Sequence, residues 1–163
     1  VRFGRVQGYV QDEAAALLGG YSGHAGLFSS AGDLAKLLFM LRNGGRYGGR
    51  QFLKPETIAR FTQKASDLSR RGLGWDKAET RPGLPQPTAA AASPQTYGHL
   101  GFTGTAVWVD PANELVYVLL SNRTFPDRSN QVFVLNSVRV KVMEVFYAAR
   151  QRWQDKFSPL PAL

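Results

Sequence analysis

The sequence predicts an α+β fold of the α/β sandwich type, in which an antiparallel sheet hairpin is covered by a long C-terminal helix. Two strand-like segments, residues 105–109 and 115–120, are joined by a short turn over residues 110–113. Apolar residues then recur at helical spacing over about residues 132–153. A helical segment nearer the start adds a small helical region to this unit.

Composition excludes several classes of protein. The chain has 163 residues and no cysteine, with 20 Lys+Arg against 12 Asp+Glu and a formal net charge of +8. Without cysteine there is no disulfide scaffold, thiolate zinc site or cysteine nucleophile. The two histidines, His24 and His99, disfavour a histidine-rich metal site. We expect no metal and no cofactor. No apolar run reaches the roughly 18 residues typical of a transmembrane helix.

The positive charge by itself predicts a solvated basic surface. The basic residues are spread along the sequence, and no nucleic-acid-binding motif accompanies them. We therefore expect no nucleic-acid partner, although an anionic polymer such as cell-wall material remains an alternative.

The first half of the chain predicts short helices. Asp12 to Leu18 is expected to form one or two turns, followed by a glycine-punctuated loop over residues 21–29. The clearest helix runs from about Ala31 to Arg42, with Ser30 as its N-cap and Asp33 three residues later. Its expected buried face consists of Leu34, Leu37, Leu38 and Leu41.

The segments that follow alternate between connectors and short elements. Tyr47 to Leu53 is expected to be a connector, and Pro55 is expected to open a helix to about Gln63 with Ile58, Ala59 and Phe61 facing inward. Residues 72–76 favour a strand. Residues 77–95, rich in proline and alanine, are expected to form a surface loop with no part in the core.

The predicted hairpin needs further strands, because two strands are not stable alone in water. We expect its partner strands to come from upstream or from another chain. We also expect a buried face of the long helix formed by Val138, Val142, Val145, Phe146 and Ala149. This gives three segments: a helical region and surface loop (1–95), the strands and helix of the sheet domain (96–157), and a tail (158–163).

The strongest chemical signal is the segment from Tyr97 to Thr105, which holds His99 and three glycines just before a strand. Glycine at a strand edge allows a ligand or another backbone to approach closely. A histidine there can donate to an anionic group or share a proton. The alternative is a glycine-rich bend with a surface histidine.

Three weaker signals have plain structural alternatives. Polar residues 121–123 at the end of an apolar strand either line a cleft or simply leave the sheet. Ser22 and His24 suggest a serine–histidine pair, but side chains so close in sequence rarely meet as a general base requires, so we expect a structural loop. The carboxylate pairs Asp12–Glu13 and Asp110 with Glu114 lack a cleft signature, which disfavours glycosidase chemistry.

Three segments, taken in order, resemble one family: residues 26–35, 99–105 and 119–126. They are similar to the C-terminal half of class C β-lactamase and penicillin-binding-protein-like serine hydrolases. The resemblance is closest to the penicillin-binding protein 4B type and to β-lactamase-like modules fused to family 3 glycoside hydrolases. It covers about residues 8–149 and implies a partial serine β-lactamase/D,D-peptidase-like fold.

The resemblance implies roles for five residues. His99 and Gly101 match the family's third motif, while Leu100 departs from its usual hydroxyl residue and so weakens the expected recognition of a substrate carboxylate. The backbone N–H of Phe102 matches an oxyanion donor. Asn122 matches a position near the substrate carboxylate. His99 and Phe102 are thus the expected catalytic positions, and Leu100, Gly101 and Asn122 the expected substrate-binding positions.

The family's first two motifs, Ser-x-x-Lys and Tyr-x-Asn, do not occur in this sequence. We expect both to lie upstream of Val1, as the remainder of the same catalytic domain, and the 163-residue chain alone to be inactive. The resemblance implies an exported or periplasmic serine hydrolase acting on peptidoglycan-derived peptides, β-lactams or small esters. The alternative is an inactive β-lactamase-like module that binds cell wall or a partner protein.

Overall fold

The structure, a computed structural model, describes residues 4–157. The tail expected over residues 158–163 lies outside the described residues. No described helix is both long and apolar enough to cross a membrane. The elements in chain order are α1 (Glu13–Leu17), α2 (Ala31–Arg42), β1 (Arg46–Tyr47), β2 (Arg50–Gln51), α3 (Pro55–Thr62), β3 (Asp76–Lys77), β4 (Tyr97–Leu100), β5 (Ala106–Asp110), β6 (Leu115–Leu119), α4 (Val132–Leu135) and α5 (Val138–Phe157).

A four-stranded antiparallel sheet in the order β3-β4-β5-β6 forms the centre of the fold. The predicted β5–β6 hairpin is confirmed, with Trp108 opposite Tyr117. The partner strands come from upstream in the same chain, where β4 pairs with the other edge of β5 and β3 pairs with β4. The apolar pattern of β4 is interrupted by Gly98 and His99, so the pattern does not predict this strand. β3 lies in the first expected segment, residues 1–95, but pairs with β4 of the second segment. The sheet therefore includes residues from both expected segments.

Both faces of the sheet are covered, which confirms the sandwich arrangement. Ala106 and Trp108 of β5 pack on one face with Met143 and Tyr147 of α5. The alternate residue Val109 packs on the other face, with buried side chains from α2 and α3: Leu38, Leu41 and Ile58. This period of two places the sheet between α5 on one side and α2 with α3 on the other.

Helix α2 has the predicted bounds and the predicted cap. The Ser30 hydroxyl accepts a hydrogen bond from the Asp33 amide at 3.1 Å, and Asn43 follows the last residue. Leu38 and Leu41 are buried as expected, but Leu37 is exposed. The expected apolar face was therefore too wide on one side.

The segment between α2 and α3 forms a two-stranded hairpin, β1–β2, rather than a plain connector. Helix α3 begins at Pro55 as predicted. Ile58 is its buried residue, whereas Ala59 and Phe61 are exposed and were wrongly expected to face inward. A helix of two turns packed by one edge buries only a narrow stripe.

The proline-rich segment over residues 77–95 is irregular, as expected, but it takes part in the core. Thr88 and Ala89 are buried, and Ala89 packs between the sheet and α5 beside Trp108 and Met143. The expectation of a purely surface loop was wrong because a small side chain fits a narrow gap that a large one would overfill.

The long C-terminal helix is divided in two. Asn136 and Ser137, the latter with φ of 51°, separate α4 from α5, and α5 continues to Phe157. Its buried residues are Met143 and Tyr147. The expected face is wrong at Val145, Phe146 and Ala149, which are exposed. Met143 and Tyr147 follow Val142 and Phe146 by one residue, so the stripe that meets the sheet lies about 100° around the helix from the expected one.

Asp110, at the end of β5, is a buried carboxylate that joins three parts of the fold. It accepts hydrogen bonds from Ser93 Oγ at 2.6 Å and N at 2.9 Å, Asn113 Nδ2 at 2.8 Å and N at 3.2 Å, and the Tyr147 hydroxyl at 2.6 Å. Burial opposes ionisation, but these hydrogen bonds outweigh it and hold the pKa of Asp110 well below its usual range. Burial and the same carboxylate raise the pKa of Tyr147.

We expect Tyr147→Phe to lower the free energy of unfolding at pH 7 by about 1.5–3 kcal/mol, since it removes a hydrogen bond to a buried charge. A carboxylate with a lowered pKa contributes stability above its unfolded pKa, which is lost as the pH falls. The deficit of the variant should therefore be similar at pH 7 and pH 4, because Asp110 stays ionised in the folded state until the pH falls to its lowered pKa. Urea unfolding at both pH values measures it. Tyr47→Phe, at an exposed tyrosine, is the control, and a deficit that disappears at pH 4 would contradict the lowered pKa of Asp110.

Gly98 of β4 lies against β5 so closely that a side chain cannot be added. A Cβ there would lie 2.0 Å from the Val107 carbonyl oxygen and 2.5 Å from the Trp108 ring. We expect Gly98→Ala to destabilise the chain by about 1–3 kcal/mol or more through overpacking. Thermal unfolding measures this. Gly32→Ala, in helix α2, should keep or raise the melting temperature, and a similar loss in both variants would show that the clash at β4 is not the cause.

Candidate active site

Strand β4 presents the third-motif residues on opposite faces. His99 and Gly101 line a cleft of about 1500 Å³, and the His99 side chain is exposed. Leu100 points the other way and packs against the core cluster around Trp108. Leu100 is therefore not among the residues that line the cleft.

Both ring nitrogens of His99 are engaged. Nδ1 lies 3.0 Å from the carbonyl oxygen of Leu100, and Nε2 lies 3.3 Å from a guanidinium nitrogen of Arg71. A neutral imidazole with its proton on Nδ1 satisfies both contacts, because the carbonyl needs a donor and arginine can only donate. This arrangement fixes the ring and places a positive charge beside it.

Side-chain donors bind the carbonyl groups of the loop after β4, residues 101–104, and hold it in place. Arg139 donates to the carbonyls of Gly101 and Gly104, Arg123 donates to that of Phe102 at 2.8 Å, and Ser121 donates to that of Gly104 at 2.7 Å. The Arg123 guanidinium also lies 4.4 Å from the centre of the Phe102 ring. Burial lowers the pKa of Arg139.

The amides of the same loop divide into two groups. Gly101 and Gly104 donate within the loop region, to Thr105 and Gly101 respectively. The N–H groups of Phe102 and Thr103 donate no hydrogen bond within residues 4–157, and both residues line the cleft. The predicted oxyanion donor therefore lies at the cleft with its hydrogen-bonding capacity available.

Asn122 lies on the cleft wall in the segment after β6. Its side-chain oxygen accepts from the Thr124 amide at 3.1 Å and hydroxyl at 2.8 Å. The carboxamide is thus turned onto its own loop, and its Nδ2 group is the part that can meet a ligand.

Asp12 and His24 also line the cleft, and with Ser22 they form a group that the sequence spacing disfavoured. Ser22 Oγ lies 2.8 Å from His24 Nδ1, and His24 Nε2 lies 2.9 Å from Asp12 Oδ1. Ser22 and His24 meet because their segment folds into a tight turn closed by the Ser22 amide and the Ala25 carbonyl. Hydrogen bonds from the Ala15 amide and from His24 lower the pKa of Asp12. Local sequence spacing could not reveal this turn.

The positions of the other carboxylates support neither glycosidase chemistry at Asp110 and Glu114 nor a metal site. Asp110 is buried in the core and Glu114 pairs with Arg42, so they do not form a cleft pair. Within the described part of the chain, no group of three or more His, Cys, Asp and Glu side chains is placed to hold a metal ion.

Comparison with known proteins gives consistent matches. A family model described as "Beta-lactamase" matches residues 3–134. An Escherichia coli (strain K12) protein named "Putative D-alanyl-D-alanine carboxypeptidase" is 43% identical over 124 residues, which cover 76% of this chain and 28% of that protein. A Salmonella gallinarum protein of the same name is 41% identical with the same coverage. The chain thus spans less than a third of the length of these curated relatives. A crystal structure of a Mycobacterium bovis beta-lactamase aligns with 64% of this chain and 40% of its own, at 25% identity and a TM-score of 0.48.

We expect Arg139→Met to free the loop over residues 101–104, because it removes the donors to two carbonyls. Amide hydrogen exchange in this loop should accelerate by about 10-fold or more, and the free energy of unfolding should fall by about 1.5–3 kcal/mol. Exchange measured by mass spectrometry tests this. Arg60→Gln, at an exposed position of α3, should change neither quantity. Unchanged exchange in Arg139→Met would show that other contacts hold the loop.

Proposed function

The chain belongs to the beta-lactamase family, and on that basis we propose that it forms one wall of the active site of a serine hydrolase. In this proposal, the nucleophilic serine and its lysine lie in a Ser-x-x-Lys motif upstream of residue 1. The chain itself has no such motif. The much greater length of the curated relatives leaves room for it.

The observation that carries the proposal is the fixed loop beside His99. Its carbonyls accept hydrogen bonds from Arg123, Arg139 and Ser121, which hold its peptide units, and the Phe102 N–H donates to no other group in residues 4–157. A preorganised donor of this kind stabilises a developing oxyanion by roughly 3 kcal/mol.

The remaining residues then have separate tasks. The upstream serine attacks the substrate carbonyl, and the Phe102 N–H stabilises the oxyanion of the tetrahedral intermediate. His99, which lines the cleft, orients the substrate or assists proton transfer. Gly101 allows close approach at the strand edge, and Asn122 offers its Nδ2 group at the cleft wall. Collapse of the intermediate expels the leaving group and leaves an acyl-enzyme, which water hydrolyses.

As the substrate class we propose peptides that end in D-alanyl-D-alanine, the class named for the two relatives. Arg71, beside His99, supports binding of an anionic peptide terminus at this edge. β-Lactams and small esters are the other candidates, because Leu100 supplies no hydroxyl for a substrate carboxylate. We also propose that the protein is exported or periplasmic, since peptidoglycan peptides are found outside the cytoplasm.

A second candidate function is binding without catalysis. The net charge of +8 favours contact with an anionic polymer, and a β-lactamase-like module without a nucleophile could bind cell wall. Salt-sensitive binding to isolated cell wall without turnover would support this function.

The experiment is covalent labelling of the full-length protein with a fluorescent penicillin. We expect one adduct, on the serine of an upstream Ser-x-x-Lys motif, and acylation slowed by roughly 10²-fold in His99→Gln, because the substrate is no longer oriented. Stopped labelling at a series of times gives the rate. Arg60→Gln should label at the wild-type rate. No adduct on a folded protein that still binds cell wall would replace the hydrolase by the binding module.

A further inference from the structure

We propose that Ser22, His24 and Asp12 form a second nucleophilic site, at which Ser22 accepts an acyl or phosphonyl group from small activated esters and phosphonates. The site uses a different serine from the proposed hydrolase centre, because Ser22 lies within this chain and has no lysine three residues later, although Asp12 and His24 line the same cleft. The adduct on Ser22 is therefore read independently of the proposed function.

The distances are those of an activated serine. The separation of 2.8 Å between Ser22 Oγ and His24 Nδ1 lies within the range of a nucleophile hydrogen-bonded to its base. The separation of 2.9 Å between His24 Nε2 and Asp12 Oδ1 gives the base an orienting carboxylate. Such groups are identified by geometry and roles rather than by position in the sequence.

The surrounding backbone holds the three groups in place. Asp12 is fixed because its Oδ1 also accepts from the Ala15 amide at 2.8 Å as the N-cap of α1. Gly26, with φ of +116°, brings the end of the turn back so closely that a Cβ would lie 2.5 Å from the Tyr21 Cα and 2.7 Å from the Gly20 carbonyl oxygen. The turn that brings Ser22 to His24 is therefore held by the hydrogen bond from the Ser22 amide to the Ala25 carbonyl and by the close approach at Gly26.

The site is accessible to a small molecule. Asp12 and His24 line the same cleft as His99, and Ser22 is partly exposed. The side chain of His24 is 56% exposed, so solvent can carry away the proton that the imidazole receives.

Other serine hydroxyls of the described chain have different partners. Ser29 donates to the Ser30 carbonyl, Ser93 to Asp110, and Ser121 to the Gly104 carbonyl. Ser22 is the serine in residues 4–157 whose hydroxyl is hydrogen-bonded to an imidazole. This difference predicts which serine reacts first with an electrophile.

The covalent step balances with groups already present. With a fluorophosphonate, Ser22 Oγ forms a bond to phosphorus and the phosphorus–fluorine bond breaks, releasing fluoride. The Ser22 proton passes to His24 Nδ1, and the resulting imidazolium keeps its Nε2–H on Asp12, which remains a carboxylate. The imidazolium then releases a proton to water. With an activated ester, the same attack at carbon releases the alcohol or phenol, which takes up that proton.

The test labels the full-length protein with a fluorophosphonate after excess benzylpenicillin has blocked any Ser-x-x-Lys serine. Tandem mass spectrometry then locates the adduct. We expect one adduct on Ser22, no adduct in Ser22→Ala, labelling about 10²-fold slower in His24→Gln, and about 10-fold slower in Asp12→Asn. Asp12→Asn keeps a side-chain acceptor for the N-cap, so α1 should survive in this variant.

Ser29→Ala is the matched control, because this serine lies in the same loop without a histidine partner, and its labelling should stay within twofold of wild type. Far-UV circular dichroism and thermal unfolding confirm that each variant is folded. The proposal is overturned if folded wild-type protein gives no adduct at Ser22 or if His24→Gln labels at the wild-type rate. Failure of penicillin to react affects only the proposed function, since the Ser22 adduct is read separately.

Discussion

The buried carboxylate of Asp110 is the constraint on which the rest of the structure depends. It ends β5, and its partners Ser93, Asn113 and Tyr147 belong to the proline-rich segment, the β5–β6 turn and α5. A buried charge is tolerated only when its lone pairs are filled, so these three segments must reach one point together. This requirement holds α5 against the sheet and draws residues 77–95 into the core.

The sheet so fixed determines the geometry of the cleft. Gly98 lets β4 lie directly against Val107 and Trp108 of β5. This close approach fixes the position of the strand that carries His99. Arg139, from the first turn of α5, then reaches across to the carbonyls of the loop that follows β4. The helix that stabilises the core therefore also orients the amides that face the cleft.

The cleft brings together segments that are distant in sequence. His99 and its loop come from the sheet, whereas Asp12 and His24 come from α1 and the turn after it. The two histidines differ in their surroundings: the ring of His99 lies between a carbonyl and Arg71, and that of His24 lies between a hydroxyl and a carboxylate. The first environment fixes the ring, and the second places an imidazole between a hydroxyl and a carboxylate.

The sequence by itself determined what depends on neighbours along the chain: the Ser30 cap of α2, Pro55 at the start of α3, the β5–β6 hairpin, and the motif segment around His99. Only the tertiary structure decided which residues those elements bury and which distant groups meet. It buried Met143 and Tyr147 in place of Val145 and Phe146, turned Leu100 into the core, and joined Ser22 to His24 and Asp12. The physical reason is that capping and strand alternation are local, whereas packing against a sheet and closure of a turn depend on parts of the chain far apart in sequence.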